Sequence, residues 1–368
     1  MKVLFRADAS IDIGTGHIMR CLTLATALKK NGAICSFICR VFEGDLIRFI
    51  ESLGFQVYVV GGGQAYQSDN EFDSAGCVLF HQQWLGVTQA QDFNESLPAL
   101  QDFDADWLVV DHYAIDVNWE SKARRYVKKL MVIDDLADRE HECDLLLDQT
   151  IGREPCDYEN LLPDAAVKLC GCEFALLRPE FRSEREASLK RRSSGELNHI
   201  IVSLGGVDKN NVTGLILQAI NDSSLPDDIR ITVVIGSTSP WRRSLELMAQ
   251  EIKRPIEVLV GVSNMAKVMS ASDLAIGAAG ATSWERCCLG IPTVMVVLAE
   301  NQKLISQNLV TAGAAVGVDV EQIKSGGLSV ELDRFQNNRC LSKHSIAASG
   351  CVDGLGVNRV ISFFGELA

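Results

Sequence analysis

Long apolar runs, an excess of positive charge and aromatic side chains are all scarce in this chain of 368 residues. No stretch approaches the ~20 apolar residues that a membrane helix needs. The longest, Ile291 to Ala299, is about half that and contains Pro292. A helical membrane span is therefore not expected. The first residues, Met1-Lys-Val-Leu-Phe-Arg-Ala-Asp8, break their apolar run at Arg6 and Asp8 before a signal-peptide core can form, so the expected location is cytoplasmic. Thirty-five Lys plus Arg against 48 Asp plus Glu leave a net charge of −13. That charge repels a phosphate polymer or an anionic membrane, which removes nucleic acid from the expected partners. Small anions stay open, because a nest of backbone N–H groups binds phosphate even inside a negative protein.

Zinc spacing is also missing. The twelve cysteines are scattered, and the close pairs Cys35/Cys39, Cys170/Cys172 and Cys287/Cys288 lack the C-x₂-C signature, so they read as reduced core thiols. No metal and no cofactor are expected. What the chain does have is apolar material: 47% of residues are hydrophobic against 7% aromatic and 23% charged, enough for sizeable cores in roughly two domains.

Short β-branched runs alternate with helical patterns. In the first half they are Lys2–Phe5, Ile34–Cys39, Gln56–Val60, Trp107–Val110 and Leu130–Ile133; after residue 198 come His199–Leu204, Ile231–Ile235, Glu257–Val260, Leu274–Ile276 and Pro292–Leu298. Such alternation means βα units around parallel sheets. Ile18, Cys21, Leu22, Ala25 and Leu28 line one helical face between the first two runs. The charged, small-residue segment 180–197 reads as a solvated connector. The expected domains are residues 1–185 and 198–350, with 351–368 a terminal helix that returns to the first domain.

Three clusters carry candidate chemistry. Asp8-Ala-Ser-Ile-Asp-Ile-Gly14-Thr-Gly16-His17-Ile-Met-Arg20 sits between the first strand and first helix, where open α/β sheets bind ligands. Gly14 and Gly16 allow close backbone approach, and His17 is placed to take a proton from water near neutral pH. The loop lacks the third glycine of G-x-G-x-x-G, having Arg20 near that position, which disfavours a dinucleotide. In the second half, Gly277-Ala-Ala-Gly280-Ala-Thr282-Ser283-Trp-Glu285 runs from strand to helix; its N–H groups, Thr282 and Ser283 suit a phosphate, and Glu285 suits ribose hydroxyls. Close helix–strand packing by the glycines and an N-cap role for Thr282 account for the same residues equally well. Asn301 and Gln302 follow a buried strand, where amides suit a sugar's hydroxyl or acetamido groups. The third cluster is Asp111-His-Tyr113 with Asp134-Asp135, at two strand ends. The adjacent aspartates point to opposite faces and form no chelating pair; loop structure and capping are their expected work. His81, His141, His199 and His344 show no spacing to a partner.

Read in order, Phe5–Ser10, Gly14–Arg20, Val110–Tyr113, Ile133–Arg139, Ser203–Gly206, Gly277–Glu285 and Asn301-Gln302 resemble the UDP-2,4-diacetamido-2,4,6-trideoxy-β-L-altropyranose hydrolase family of pseudaminic-acid synthesis, over residues 1–315. The resemblance implies a glycosyltransferase-B-like fold: two Rossmann-like α/β domains facing across a cleft, the nucleotide held chiefly by the second. It implies hydrolysis of a UDP-sugar at the anomeric C–O bond, without metal, in a pathway that serves flagellin glycosylation. His17 carries over as the residue that activates water. Gly14, Gly16, Arg20, Tyr113, Gly280, Thr282, Ser283, Glu285, Asn301 and Gln302 carry over as substrate contacts, with Arg20 equally able to brace the loop. The same fold hosts glycosyltransferases and hydrolysing UDP-sugar 2-epimerases, and a non-catalytic nucleotide-sugar sensor is the alternative from another class.

Overall fold

The computed structural model describes residues 1–61, 79–205, 208–237 and 239–366. Two compact units divide the chain: Met1–Leu176 with Gly356–Ala368, and Leu177–Leu355. Each is a parallel sheet with helices.

The first unit holds β1 (Lys2–Ala7), β2 (Ile34–Arg40), β3 (Gln56–Val60), β4 (Trp107–Asp111), β5 (Lys129–Ile133), β6 (Leu145–Asp148) and β7 (Val167–Cys170), in the order β3-β2-β1-β4-β5-β6-β7. Strands covered on both faces read as near-continuous apolar runs, which is why β1, β4 and β5 were legible. The strands β6 and β7 were not expected; at four residues each they are too short to show a period. The helix Gly16–Lys30 buries Ile18, Cys21, Leu22, Ala25 and Leu28, the face its spacing predicts. It also buries Leu24, and the terminal helix Gly356–Glu366 adds Val360 and Phe364 to the same cluster. The Phe364 ring lies 4.6 Å from that of Trp107.

The second unit holds β8 (His199–Ser203), β9 (Arg230–Ile235), β10 (Ile256–Val260), β11 (Leu274–Ala278), β12 (Thr293–Val297) and β13 (Ala315–Asp319), ordered β10-β9-β8-β11-β12-β13. The segment 180–197 is not a solvated connector. Pro179–Arg191 is a helix of this unit, so the chain divides at Leu176/Leu177 rather than at 185 to 198. Its anchors are arginines rather than an apolar stripe, which hid it from a periodicity reading. Arg192 Nη1 donates to the carbonyls of Ser188 and Leu289, and its Nη2 to those of Met269 and Ser272. Arg185 donates to the carbonyls of Cys288, Ser349 and Val352.

In both sheets the first strand of the unit is flanked on one side by its successor and on the other by a later strand: β1 lies between β2 and β4, β8 between β9 and β11. The direction of winding reverses at β1/β4 and at β8/β11. Helices on either side of a reversal diverge, which opens a crevice at the carboxyl ends of those strands. The candidate residues of each unit gather there.

Candidate active site

After β1 the chain turns on itself before entering the helix Gly16–Lys30. Ser10 builds that turn: its hydroxyl accepts from the N–H groups of Asp12 and Ile13, and its carbonyl from Gly14 N at 2.9 Å. Gly14 has φ +79°, a conformation that costs an L side chain but not glycine. No described atom lies within 4 Å of where a Cβ would sit on Gly14 or Gly16.

His17 is the second residue of that helix, and Arg20 lies one turn on, at the i,i+3 spacing that puts both on one face. Both converge on Asp111, the last residue of β4. His17 Nδ1 is 2.6 Å from Asp111 Oδ1, while Arg20 donates through Nη2 to the same oxygen at 2.7 Å and through Nε to Oδ2 at 2.7 Å. Arg20 Nη1 reaches Asp135 Oδ2 at 2.5 Å, and the Tyr113 hydroxyl donates to that oxygen at 2.6 Å. The Tyr113 ring meets His17 edge-on, centroids 4.6 Å apart. Burial alone would raise the Asp111 carboxyl; the Arg20 charge, then His17, outweigh it and hold Asp111 well below the ordinary carboxylate range. An ionised Asp111 only accepts, so the neutral His17 ring carries its proton on Nδ1 and presents the Nε2 lone pair. Among the described residues Nε2 makes no hydrogen bond, and the side chain keeps 9% of its surface.

Two partners here were not expected. Asp111 and Asp135 hold the site together, whereas the sequence predicts loop structure or capping for Asp135. The readable signal was the His17/Arg20 spacing facing a strand-end carboxylate. Asp134 does turn away from Asp135, to Arg139 at 2.9 Å and to the Tyr158 hydroxyl at 2.8 Å. His81 also has surroundings that its position gave no hint of: its ring lies 4.2 Å from Trp84 and 5.4 Å from Tyr113, extending the aromatic wall beside His17. His141 pairs with Glu120 at 2.8 Å, and His199 bonds Thr232 at 2.8 Å, so both are structural.

In the second unit, β11 leads through Ala279–Ala281 into the helix Thr282–Cys288. Ala281, not Thr282, stands at the N-cap, and it makes no side-chain cap bond. Thr282 is therefore free of the capping role. Gly280 has open space beyond it, whereas a Cβ on Gly277 would lie 2.5 Å from Arg286 Nη1 and 3.0 Å from the Ser203 carbonyl oxygen. The packing role belongs to Gly277. Arg286 Nη1 donates to the Thr282 hydroxyl at 3.0 Å, and Nη2 to the Ala278 carbonyl at 2.8 Å and the Ser283 hydroxyl at 3.1 Å. Ser283 is thus turned inward and buried, so it offers its hydroxyl to Arg286 rather than to the turn's open side. Glu285 is half-buried, 3.4 Å from Arg178, and burial raises its carboxyl against the Arg178 and Arg286 charges. Gln302 folds back to accept from Leu298 N at 2.9 Å, so its carbonyl is committed to its own turn. The Asn301 side chain and Gly206 lie outside the described residues.

Among the described residues no group of three or more His, Cys, Asp or Glu side chains could hold a metal ion. No described helix is long and apolar enough to cross a membrane.

The chain is similar to known proteins in sequence and in fold. Residues 200–353 match the glycosyltransferase family 28 C-terminal domain. The chain is 28% identical over 318 residues to the UDP-2,4-diacetamido-2,4,6-trideoxy-β-L-altropyranose hydrolase of Campylobacter jejuni, covering 86% of this chain and 98% of that protein. It is 25% identical over 311 residues to an uncharacterized protein of Methanocaldococcus jannaschii, of which it spans only 57%. In structure it resembles MurG of Acinetobacter baumannii, with a TM-score of 0.69 at 16% identity over 99% of both chains. The fold is that of the glycosyltransferase-B proteins, two parallel-sheet α/β domains, and the sequence is similar to a hydrolase of a UDP-activated diacetamido sugar.

Proposed function

We propose that this protein hydrolyses a UDP-sugar of the 2,4-diacetamido-2,4,6-trideoxy-β-L-altropyranose type, releasing UDP and the free sugar. The observation that carries the reading is the His17 ring, anchored through Nδ1 on an ionised Asp111 with Nε2 uncommitted. In the proposed step a water oxygen attacks the anomeric carbon and its proton passes to His17 Nε2. The bond from that carbon to the β-phosphate oxygen breaks, and its electron pair leaves with UDP. Asp111 stabilises the imidazolium that forms, as a buried acceptor at Nδ1 does in other acid–base pairs. UDP is a good leaving group, so positioning and charge stabilisation supply most of the remaining acceleration.

Charge supports a division of labour. Around His17 two carboxylates, Asp111 and Asp135, face one guanidinium, Arg20, a net negative balance that repels a diphosphate. The turn Ala279–Ala281 carries no carboxylate of its own and backs onto Arg286, a balance that favours the diphosphate. Thr282 and the turn N–H groups then bind phosphate, Glu285 the ribose, and Tyr113 the sugar side.

Incubating the protein with that UDP-sugar and no acceptor, in ¹⁸O-water, tests the reading. Free UDP and label in the sugar are expected, with His17→Ala slower by about 10²–10⁴. Label in UDP, near-parental turnover by His17→Ala, or a C2-inverted product (the epimerase outcome) would sink it. No UDP released without an acceptor would point to a transferase or a sensor instead.

A further inference from the structure

Arg286 is 2% exposed, yet among the described residues it forms no ion pair, and its Nε has no hydrogen-bond partner. A buried guanidinium without a carboxylate is costly. Other buried arginines of this unit meet more backbone carbonyls, although Arg192 shares the unpartnered Nε. Arg192 and Arg254 spend their donors on rings of backbone carbonyls: Arg192 on those of Met269 and Ser272 beside the carboxyl end of the helix Met265–Ser270, Arg254 on those of Ile220 and Asn221 at the end of the helix Val212–Asn221. Helix carboxyl ends carry about half a negative charge, which offsets a cation.

Arg286 has less of such an offset: one carbonyl, that of Ala278 at 2.8 Å, and the field of the adjacent Glu285. It reaches back to the amino end of its own helix, where the partial charge is positive. The fold makes room for it there at a specific position: Gly277 is the residue whose missing Cβ leaves space for Nη1 between the ends of β8 and β11. Its bonds also orient the hydroxyls above it. A guanidinium only donates, so by occupying a lone pair on Thr282 Oγ1 it turns that hydroxyl into a donor toward the open side of the turn.

We infer that Arg286 is the positioning residue of a diphosphate cradle: it presets the Thr282 hydroxyl as a donor and keeps a fixed positive charge beneath the Ala279–Ala281 turn, for which the bound diphosphate is the missing counter-ion. The inference rests on the reading that this turn takes the diphosphate of a UDP-sugar. Arg286 acts through Thr282 and through its field, not by touching the ligand.

The test is a ratio. UDP and uridine binding to the full-length protein are measured by calorimetry for the parent, Arg286→Met, Arg286→Lys and Thr282→Val. The parent is expected to prefer UDP. In Arg286→Met the UDP affinity falls about tenfold or more while uridine affinity holds within about twofold. Arg286→Lys keeps the charge without the fork and lies between. Thr282→Val, with Arg286 intact, loses a smaller share of the same preference, and it carries the test should both arginine variants fail to fold. Unchanged preference for UDP in Arg286→Met, or equal loss of both ligands, would overturn the role of Arg286 while leaving the UDP reading intact. A parent that binds UDP no better than uridine would overturn the reading of the turn itself and this inference with it.

Discussion

Each unit places an arginine as the fifth residue of a helix that starts where the winding of its sheet reverses: Arg20 in Gly16–Lys30 and Arg286 in Thr282–Cys288. Both side chains are buried, and both reach back over the strand ends. Their surroundings differ in one respect. Arg20 meets two carboxylates, Asp111 and Asp135, and so becomes a neutralised brace that also fixes the orientation of His17. Arg286 meets two hydroxyls and a carbonyl, and its charge stays available. Burial accordingly pulls the Arg286 guanidinium down to about 10, whereas the carboxylates around Arg20 override burial and push it above its ordinary value. One topology thus yields a charge-neutralised arginine or one left without a carboxylate, depending on whether the facing strand ends in aspartate.

The largest effect that separates the two arginines is expected in stability. Arg20→Met strands the fully buried Asp111 carboxylate and should cost about 3–5 kcal/mol in urea unfolding at pH 7. Arg286→Met removes an ion that had no partner and should stay within about 1–2 kcal/mol of the parent, the loss of three hydrogen bonds being set against relief of burial. The Arg20→Met penalty should also depend on pH in a fixed sense. Asp111 is depressed in the folded state, so its contribution is present above the unfolded carboxylate value near ~4 and fades as pH falls below it. Equal penalties for the two variants, or a penalty for Arg20→Met that grows toward pH 3, would break the comparison.

How much of this was legible follows from where each signal is stored. The apolar face Ile18, Cys21, Leu22, Ala25, Leu28 and the glycine loops are local, and local periodicity finds them. The pairing of His17 and Arg20 with Asp111 joins residues 94 and 91 positions apart, and Asp135 lies 115 from Arg20; no spacing rule reaches that far. The helix Pro179–Arg191 is hidden from periodicity because Arg185, and Arg192 just past its end, bind carbonyls, which carry no sequence signature. Arg286 carries no sequence signal for a related reason. A lone arginine beside a glycine turn looks like a solvated helix residue until the Gly277 gap and the inward Ser283 hydroxyl show that it is sealed beneath the turn.

The gap itself can be closed. Gly277→Ala puts a methyl group 2.5 Å from Arg286 Nη1 and 3.0 Å from the Ser203 carbonyl, which belongs to a central strand and cannot give way. A cost of about 1–3 kcal/mol is expected, as for other overpacked sites, together with weaker UDP binding as the guanidinium is displaced. Combined with Arg286→Met, the stability cost should shrink by a measurable coupling energy, since the shared clash is then partly removed. Strict additivity of the two changes would mean that Gly277 serves something other than the arginine.

The smallest expected effect compares the two glycine loops directly. Gly14 and Gly280 both have open space where a Cβ would sit, so neither substitution by alanine introduces a clash. They differ in backbone: Gly14 has φ +79°, and Gly280 is not in the left-handed region. Gly14→Ala should therefore cost about 1–2 kcal/mol through conformation alone. Gly280→Ala should leave stability within about 0.5 kcal/mol of the parent. Because stability is then silent at Gly280, UDP binding there isolates what occupies the open space: a methyl group pointing at a bound diphosphate should lower UDP affinity several-fold with unfolding unchanged. A Gly280→Ala protein that binds UDP like its parent would mean that the turn's open side faces only solvent, and the positive charge held beneath it by Arg286 would then have no ligand to meet.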